Sequence, residues 1–74
     1  MITSIYCKHL DAVTGERLSL YHFRTFQTKR QALNELRRLS AQFKQTFWHG
    51  DSFRFYSHYN NGDVHIVEYY LLPF

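Results

Sequence analysis

Polar and apolar positions alternate at the start of the chain, which is the pattern of a strand that buries one of its faces. We expect this first strand over residues 2–10, with Ile5 and Cys7 turned toward the core. Tyr6 and Lys8 then lie on the other face. In that position Cys7 is a buried structural thiol, because no second cysteine or paired nucleophile motif accompanies it.

A turn and a second strand follow. Gly15 suits the left-handed backbone conformation that such a turn requires, and residues 16–26 continue as a strand with imperfect alternation. Leu20 favours one face of this strand, while Tyr21 and Phe23 favour the other. A β-bulge would allow the strand to change faces partway along its length. We place the two rings on the open face of the sheet.

An amphipathic helix is predicted next. Thr28 and Gln31 fit a capping box, in which each side chain satisfies a backbone amide of the other residue. From there apolar residues recur at every third or fourth position, as on a helix that buries one stripe. We expect the helix to end between residues 45 and 49, with Gly50 as its terminator. Trp48 then closes the end of the core.

The last third of the chain has the pattern of a hairpin. Two runs of β-branched and aromatic residues flank Asn61 and Gly62, which suit a two-residue type I′ turn with positive φ at both positions. This turn sets a register with His58 opposite His65. One face is then apolar and includes Phe53, Phe55, Val64, Ile66, Tyr70 and Leu72. The other face is aromatic, basic and titratable and includes Arg54, Tyr56, His58, His65 and Tyr69.

The predicted order of elements is therefore strand, strand, helix, strand, strand, in a single domain of residues 1–74. The simplest architecture is an α+β, two-layer fold, in which a four-stranded antiparallel sheet carries one helix on one face (β-β-α-β-β order). The pattern does not give the order of the strands in the sheet.

Composition and charge narrow the classes of function. A single cysteine fits a reducing compartment, so we expect a cytoplasmic protein. No secretory leader is visible, and no apolar run approaches the roughly 20 residues of a membrane span. The formal net charge of +3 would attract an anionic partner and argues against an acidic mimic of DNA. The sequence shows no nucleotide fingerprint, zinc spacing or nucleophile motif, so we expect no cofactor and no enzyme activity.

The open face of the predicted sheet is the main candidate binding site. Rings beside cations form a stacking platform for single-stranded nucleic acid, and they are equally the composition of hot spots in protein interfaces. A third reading is structural, with loops or a second copy of the chain covering the rings. The predicted partner-binding residues are Arg54, Tyr56, Tyr69, Tyr21, Tyr6, Lys8, His58 and His65.

Two further groups of residues carry candidate chemistry. An electrostatic second site follows the helix and consists of Arg30, Arg37, Arg38 and Lys44. These cations could follow a phosphate backbone, although an ordinary solvated helix face explains them as well. His58 and His65 supply only two ligands, so we expect no metal. The same pair has the residue type for acid–base cleavage of a phosphodiester, but a flat face lacks the pocket that catalysis needs.

We therefore expect a small non-catalytic protein-binding module, a regulator or inhibitor that occupies a surface of a larger complex, including one that handles nucleic acid. Its size resembles that of the accessory proteins that phages and mobile elements encode, although no residue motif carries this likeness. The expected partner is a foreign protein or a second copy of the chain, and not a membrane. The alternative is a direct single-stranded RNA or DNA binder that uses the same face. The third hypothesis is a histidine-dependent nuclease.

Overall fold

The structure, a computed structural model, describes residues 1–73 and contains a single sheet with one helix packed on it. The elements in chain order are β1 (Thr3–Asp11), β2 (Arg17–Phe26), α1 (Lys29–Ser40), β3 (Phe47–His49), β4 (Ser52–His58) and β5 (Val64–Pro73). The five strands form an antiparallel sheet in the order β2-β1-β5-β4-β3, and α1 packs against β1, β2 and β5. The α+β class holds. The expected four strands in β-β-α-β-β order are wrong, because a further strand follows the helix.

Helix α1 begins where the sequence predicts and ends earlier. The Thr28 hydroxyl oxygen accepts a hydrogen bond from the Gln31 backbone N–H at 3.2 Å, which confirms Thr28 as the N-terminal cap. The return bond of the expected capping box, between the Gln31 side chain and the Thr28 N–H, is not formed within residues 1–73. The helix ends at Ser40, so the expected end between residues 45 and 49 is wrong. The apolar spacing continues to Phe43, but that ring stacks on Phe55 of β4 with 4.0 Å between centroids. This stack takes the chain off the helical path.

The chain after the helix forms the short strand β3, which is an addition to the predicted elements. Trp48 lies opposite Phe53 of β4, with 5.2 Å between the ring centroids, so it covers the core from an edge strand. Gly50 has φ +60° and forms a tight turn with Asp51 between β3 and β4. It is therefore not a helix terminator. A Gly-Asp pair between two β-forming runs is itself a hairpin signal, so the sequence does contain a signal for this strand.

The core lies between α1 and the side of the sheet that faces it, which we call the helix side. Its buried apolar residues are Ile5, Cys7, Ala32, Leu36, Leu39, Phe53, Val67 and Tyr69. Ile5 and Cys7 are fully buried, as predicted. Phe53 and Tyr69 stack with 5.3 Å between their centroids at the centre of this layer. Their burial contributes roughly 2–3 kcal/mol for each ring, which matters in so small a domain.

The β4–β5 hairpin has a loop that is one residue longer than expected. Asn61 keeps a negative φ, and only Gly62, at φ +92°, is left-handed, so the type I′ turn is wrong. Tyr59 donates its backbone N–H to Asp63 O at 2.9 Å, and Gly62 donates to Tyr59 O at 3.0 Å. This is the three-residue loop in which a type I turn is followed by a left-handed glycine.

The longer loop shifts the register by one residue, and such a shift exchanges the faces of a strand. Arg54 pairs with Glu68 rather than with Tyr69, which pairs with Phe53. The expected faces of β5 are therefore wrong throughout. His65, Val67 and Tyr69 lie on the helix side, and Val64, Ile66, Glu68, Tyr70 and Leu72 lie on the opposite side.

Strand β2 also departs from the expected faces. Cys7 pairs with Tyr21, which puts this ring on the helix side, and Leu20 lies on the opposite side. A register shift then follows, so the predicted bulge is confirmed. The bulge brings Phe23 and Arg24 to the helix side together, where Arg24 Nη1 lies 3.7 Å from a carboxylate oxygen of Glu35 on α1. The expected open-face positions of Tyr21 and Phe23 are wrong.

Candidate protein-binding face

The side of the sheet away from α1 is not covered by any element of residues 1–73, and we call it the open face. Alternation along the strands brings its side chains together. Its central residues are Tyr6, Lys8, Leu20, His22, Phe47, Arg54, Tyr56, His58, Glu68 and Tyr70. Of the predicted partner-binding residues, Tyr6, Lys8, Arg54, Tyr56 and His58 lie on this face. Tyr69, Tyr21 and His65 do not.

An ion-pair triad occupies the middle of the open face. Glu68 on β5 pairs with Lys8 on β1 and with Arg54 on β4, so the sheet register itself brings the three side chains together. The two carboxylate oxygens of Glu68 lie 3.0 Å from Lys8 Nζ and 3.1 Å from Arg54 Nη2. Glu68 is buried, while both cations reach solvent. Glu68 is not among the predicted site residues, because the expected register turns it to the other side of the sheet.

A row of rings adjoins the triad on the β1 side. Tyr6 lies opposite both His22 on β2 and Tyr70 on β5. Its ring stacks on Tyr70 with 6.0 Å between centroids and meets His22 edge-on at 5.3 Å. Lys8 Nζ lies 5.2 Å from the centroid of Tyr70, within the range of a cation–π contact. The row is therefore pre-formed, and a partner would not have to order each ring separately.

A second pair of rings lies on the other side of the triad. Phe47 on β3 faces Arg54, and its ring meets Tyr56 edge-on with 6.3 Å between centroids. Both rings are among the exposed large side chains, and Tyr56 keeps 52% of its surface in solvent. Phe47 was not predicted as a site residue because β3 was not recognised. The open face thus combines a central charged triad with two exposed rings on the β3 side and a row of mainly half-buried rings on the β1 side.

Tyr69 and Tyr21 serve the fold rather than the open face. Tyr69 is buried among the core rings, and Tyr21 lies beside it. Both pair with Cys7 across the sheet. Burial raises the pKa of the Cys7 thiol, and the neighbouring Cys7 side chain is the main cause of a raised pKa for Tyr21. A protonated, enclosed thiol is a poor nucleophile.

The expected pair of His58 and His65 is wrong, because the register puts them on opposite sides of the sheet. His58 pairs with Val64, while His65 packs edge-on against His9 with 5.9 Å between ring centroids. Burial, and secondarily the neighbouring His65, lowers the pKa of His9. Within residues 1–73, no group of three or more His, Cys, Asp and Glu side chains is placed to hold a metal ion. The nuclease hypothesis therefore loses the geometry that motivated it.

The basic stripe on α1 is shorter than expected. Arg30 and Arg37 are exposed on the helix, whereas Lys44 lies beyond its end. Arg38 binds Glu35 through two hydrogen bonds of 2.6 and 2.7 Å, and this contact lowers the pKa of the Glu35 carboxyl. One of the three stripe cations on the helix, Arg38, is therefore neutralised on the helix itself.

The helix of the described chain is too short and too polar to cross a membrane. Comparison of the chain with protein-family models, with curated proteins and with solved structures gives no match.

Proposed function

We propose that this protein is a small non-catalytic binding module, which regulates or inhibits a larger protein by docking its open face on that protein's surface. The observation that supports this proposal is the pre-formed arrangement of rings around the triad of Lys8, Glu68 and Arg54, with Phe47 and Tyr56 exposed and Tyr6 and Tyr70 half-buried. Tyrosine and arginine are the residue types that most often dominate binding energy in protein interfaces. The same proposal places the protein in the cytoplasm, where a lone thiol such as Cys7 stays reduced.

The charge balance of the open face favours a protein partner over a nucleic acid. Lys8 and Arg54 share one carboxylate, so the triad carries a single net positive charge. Affinity for nucleic acid comes largely from cations that replace counterions on phosphates, and Glu68 would repel those phosphates. A protein surface can use both signs of the triad. The rival hypothesis keeps one supporting feature, which is the exposure of Tyr56 and Phe47 for base stacking.

Site-specific photo-crosslinking in cells tests the proposal. A benzophenone amino acid in place of Tyr56 on the open face should capture a protein partner in a discrete product. The same amino acid in place of Arg30, at the start of α1, is the matched control and should capture little. An Arg54→Ala substitution should weaken the product at position 56, because it removes both a hot-spot side chain and one arm of the triad.

The nucleic-acid hypothesis is tested on the same protein by anisotropy with labelled single-stranded RNA and DNA of mixed sequence. We expect no saturable binding at near-physiological salt. Micromolar binding that falls steeply with salt and disappears in Tyr56→Ala would replace the protein-binding proposal. A crosslink that forms equally well from position 30 would also contradict it, because the helix rather than the open face would then contact the partner.

A further inference from the structure

Strand β4 has a free outer edge over its second half. β3 pairs with β4 only as far as Arg54, and no other described strand lies on that side. On the inner side, Tyr59 donates to Asp63, and antiparallel pairs alternate between hydrogen-bonded and non-hydrogen-bonded positions. Tyr56 and His58 therefore occupy non-hydrogen-bonded pairs with β5. Their backbone N–H and C=O groups point outward, at the free edge.

A groove runs along this free edge because the segment that precedes β3 does not lie beside β4. The stack of Phe43 on Phe55 draws that segment over the helix side of the sheet. The resulting groove has a volume of about 610 Å³. It is lined by Phe43, Phe55, Phe47, Tyr56, His58 and Lys44. Phe55 lies on the helix side of the sheet and Tyr56 lies on the open face. Because the groove contacts both side chains, it lies along the backbone edge of β4 between them.

The charge of the groove indicates the chemistry of its occupant. Five cations of residues 1–73 form salt bridges, and they are Lys8, Arg24, Lys29, Arg38 and Arg54. Lys44 and His58 are not among them. Among the described residues, no carboxylate lines the groove. The rings on either side of the edge match the alternating side chains of an added strand, whose main chain would pair with β4.

We propose that the free edge of β4 binds an acidic, extended peptide segment by strand addition, in line with β3. The main chain of the peptide pairs with Tyr56 and His58, and a carboxylate of the peptide contacts Lys44. This site adjoins the docking surface of the open face and shares Phe47, Tyr56 and His58 with it, but it uses the backbone edge of β4 rather than the triad of Lys8, Glu68 and Arg54. The free edge accommodates about three residues at roughly 3.3 Å each, so a single peptide should bind with micromolar or weaker affinity.

The probe for this proposal is a fluorescein-labelled peptide of about eight alternating valine and glutamate residues, long enough to span the edge. We expect saturable anisotropy at low salt, together with changes in the amide NMR signals of Tyr56, Ser57 and His58. Two control peptides separate the contributions. Replacing glutamate by lysine tests the charge, and methylating alternate backbone nitrogens blocks strand pairing. Each should weaken binding by about tenfold or more.

A pair of substitutions at one position tests the main-chain contact. His58→Ala removes only the imidazole, whereas His58→Pro also removes the outward N–H, and proline is tolerated on strand edges. The Kd of the His58→Pro variant should be about fivefold higher than that of His58→Ala, which is the change expected for the loss of one hydrogen bond. Lys44→Glu should raise the Kd by about tenfold. Arg30→Glu, with the same change of net charge at the far end of α1, should leave it unaltered.

Several results would overturn the proposal. One is the absence of saturable binding at millimolar peptide, and another is equal binding of the backbone-methylated peptide. Signal changes that map to β2 instead of β4 would assign the peptide to the other edge of the sheet. A dimer in light scattering whose contacts map to Tyr56 and His58 would make a second copy the occupant. If His58→Pro fails to fold, the methylated peptide decides the question on the unaltered protein.

Discussion

Replacement of Glu68 by glutamine tests whether the triad stabilises the open face. The substitution keeps the shape of the side chain and removes its charge, so Lys8 and Arg54 lose the carboxylate they share at 3.0 and 3.1 Å. The two cations would then repel each other across β5. We expect the variant to fold, because its core on the helix side is unaltered, but to be less stable.

The magnitude follows from the exposure of the three side chains. The Glu68 side chain is 10% exposed, while those of Lys8 and Arg54 are 32% and 44% exposed. Exposed ion pairs contribute about 0.2–1 kcal/mol, and breaking a buried pair costs roughly 3–5 kcal/mol. The triad lies between these limits, so we expect a loss of about 2 kcal/mol. That loss is large for a chain of 74 residues, whose unfolding free energy is on the order of 4–11 kcal/mol.

Urea unfolding followed by the fluorescence of Trp48 measures this loss directly. Thermal unfolding should show a decrease in Tm of roughly 8–16 °C. Asp51→Asn is the matched control, since it removes one carboxylate from an ion pair whose side chains are both largely exposed, Lys29 at 60% and Asp51 at 49%. We expect the control to lose less than about 1 kcal/mol. A loss for Glu68→Gln within about 0.5 kcal/mol of zero, or no larger than that of the control, would refute the reasoning.

Four further measurements test other parts of the structure. Gly62→Ala should cost about 1–2 kcal/mol in urea unfolding, because φ is +92° while nothing crowds the added Cβ. Thr28→Ala should cost about 1 kcal/mol through loss of the helix cap. Because the pKa of His9 is lowered from 6.5, stability should fall as the pH drops below 6.5 toward the lowered pKa. His9→Gln should reduce that fall in unfolding measured at pH about 8 and about 5. Cys7 should react with a thiol reagent only when the protein unfolds, since burial raises its pKa.

Local signals in the sequence were sufficient where one short segment determines the structure. The cap at Thr28 and the alternation around Ile5 depend only on neighbouring residues, and the structure contains both. The end of α1, in contrast, does not depend on neighbouring residues alone. The apolar spacing runs on to Phe43, and only the stack of that ring on Phe55 shows where the helix stops. The position of Phe55 depends in turn on the pairing of a later strand.

The register of the last hairpin shows the same limit more clearly. The pair Asn61 and Gly62 is compatible with a two-residue turn and with a three-residue loop, which differ by one residue in register. The choice depends on which face of β5 meets the core. In the observed register Tyr69 stacks on Phe53 within the core, and Glu68 meets Lys8 of the distant strand β1. Both contacts are long-range, so the turn sequence alone could not select between the alternatives.

The two edges of the sheet differ in their protection against strand addition. The outer edge of β2 is the longer and is exposed over nearly its whole length, but its register with β1 shifts twice. Bulges are devices that protect an edge from pairing. The free edge of β4 has no register shift and lies in a groove walled by rings, with Lys44 at its rim. By length alone, β2 would be the better edge for strand addition. The irregular backbone of β2 hinders pairing, however, so the shorter and regular edge of β4 is the better site.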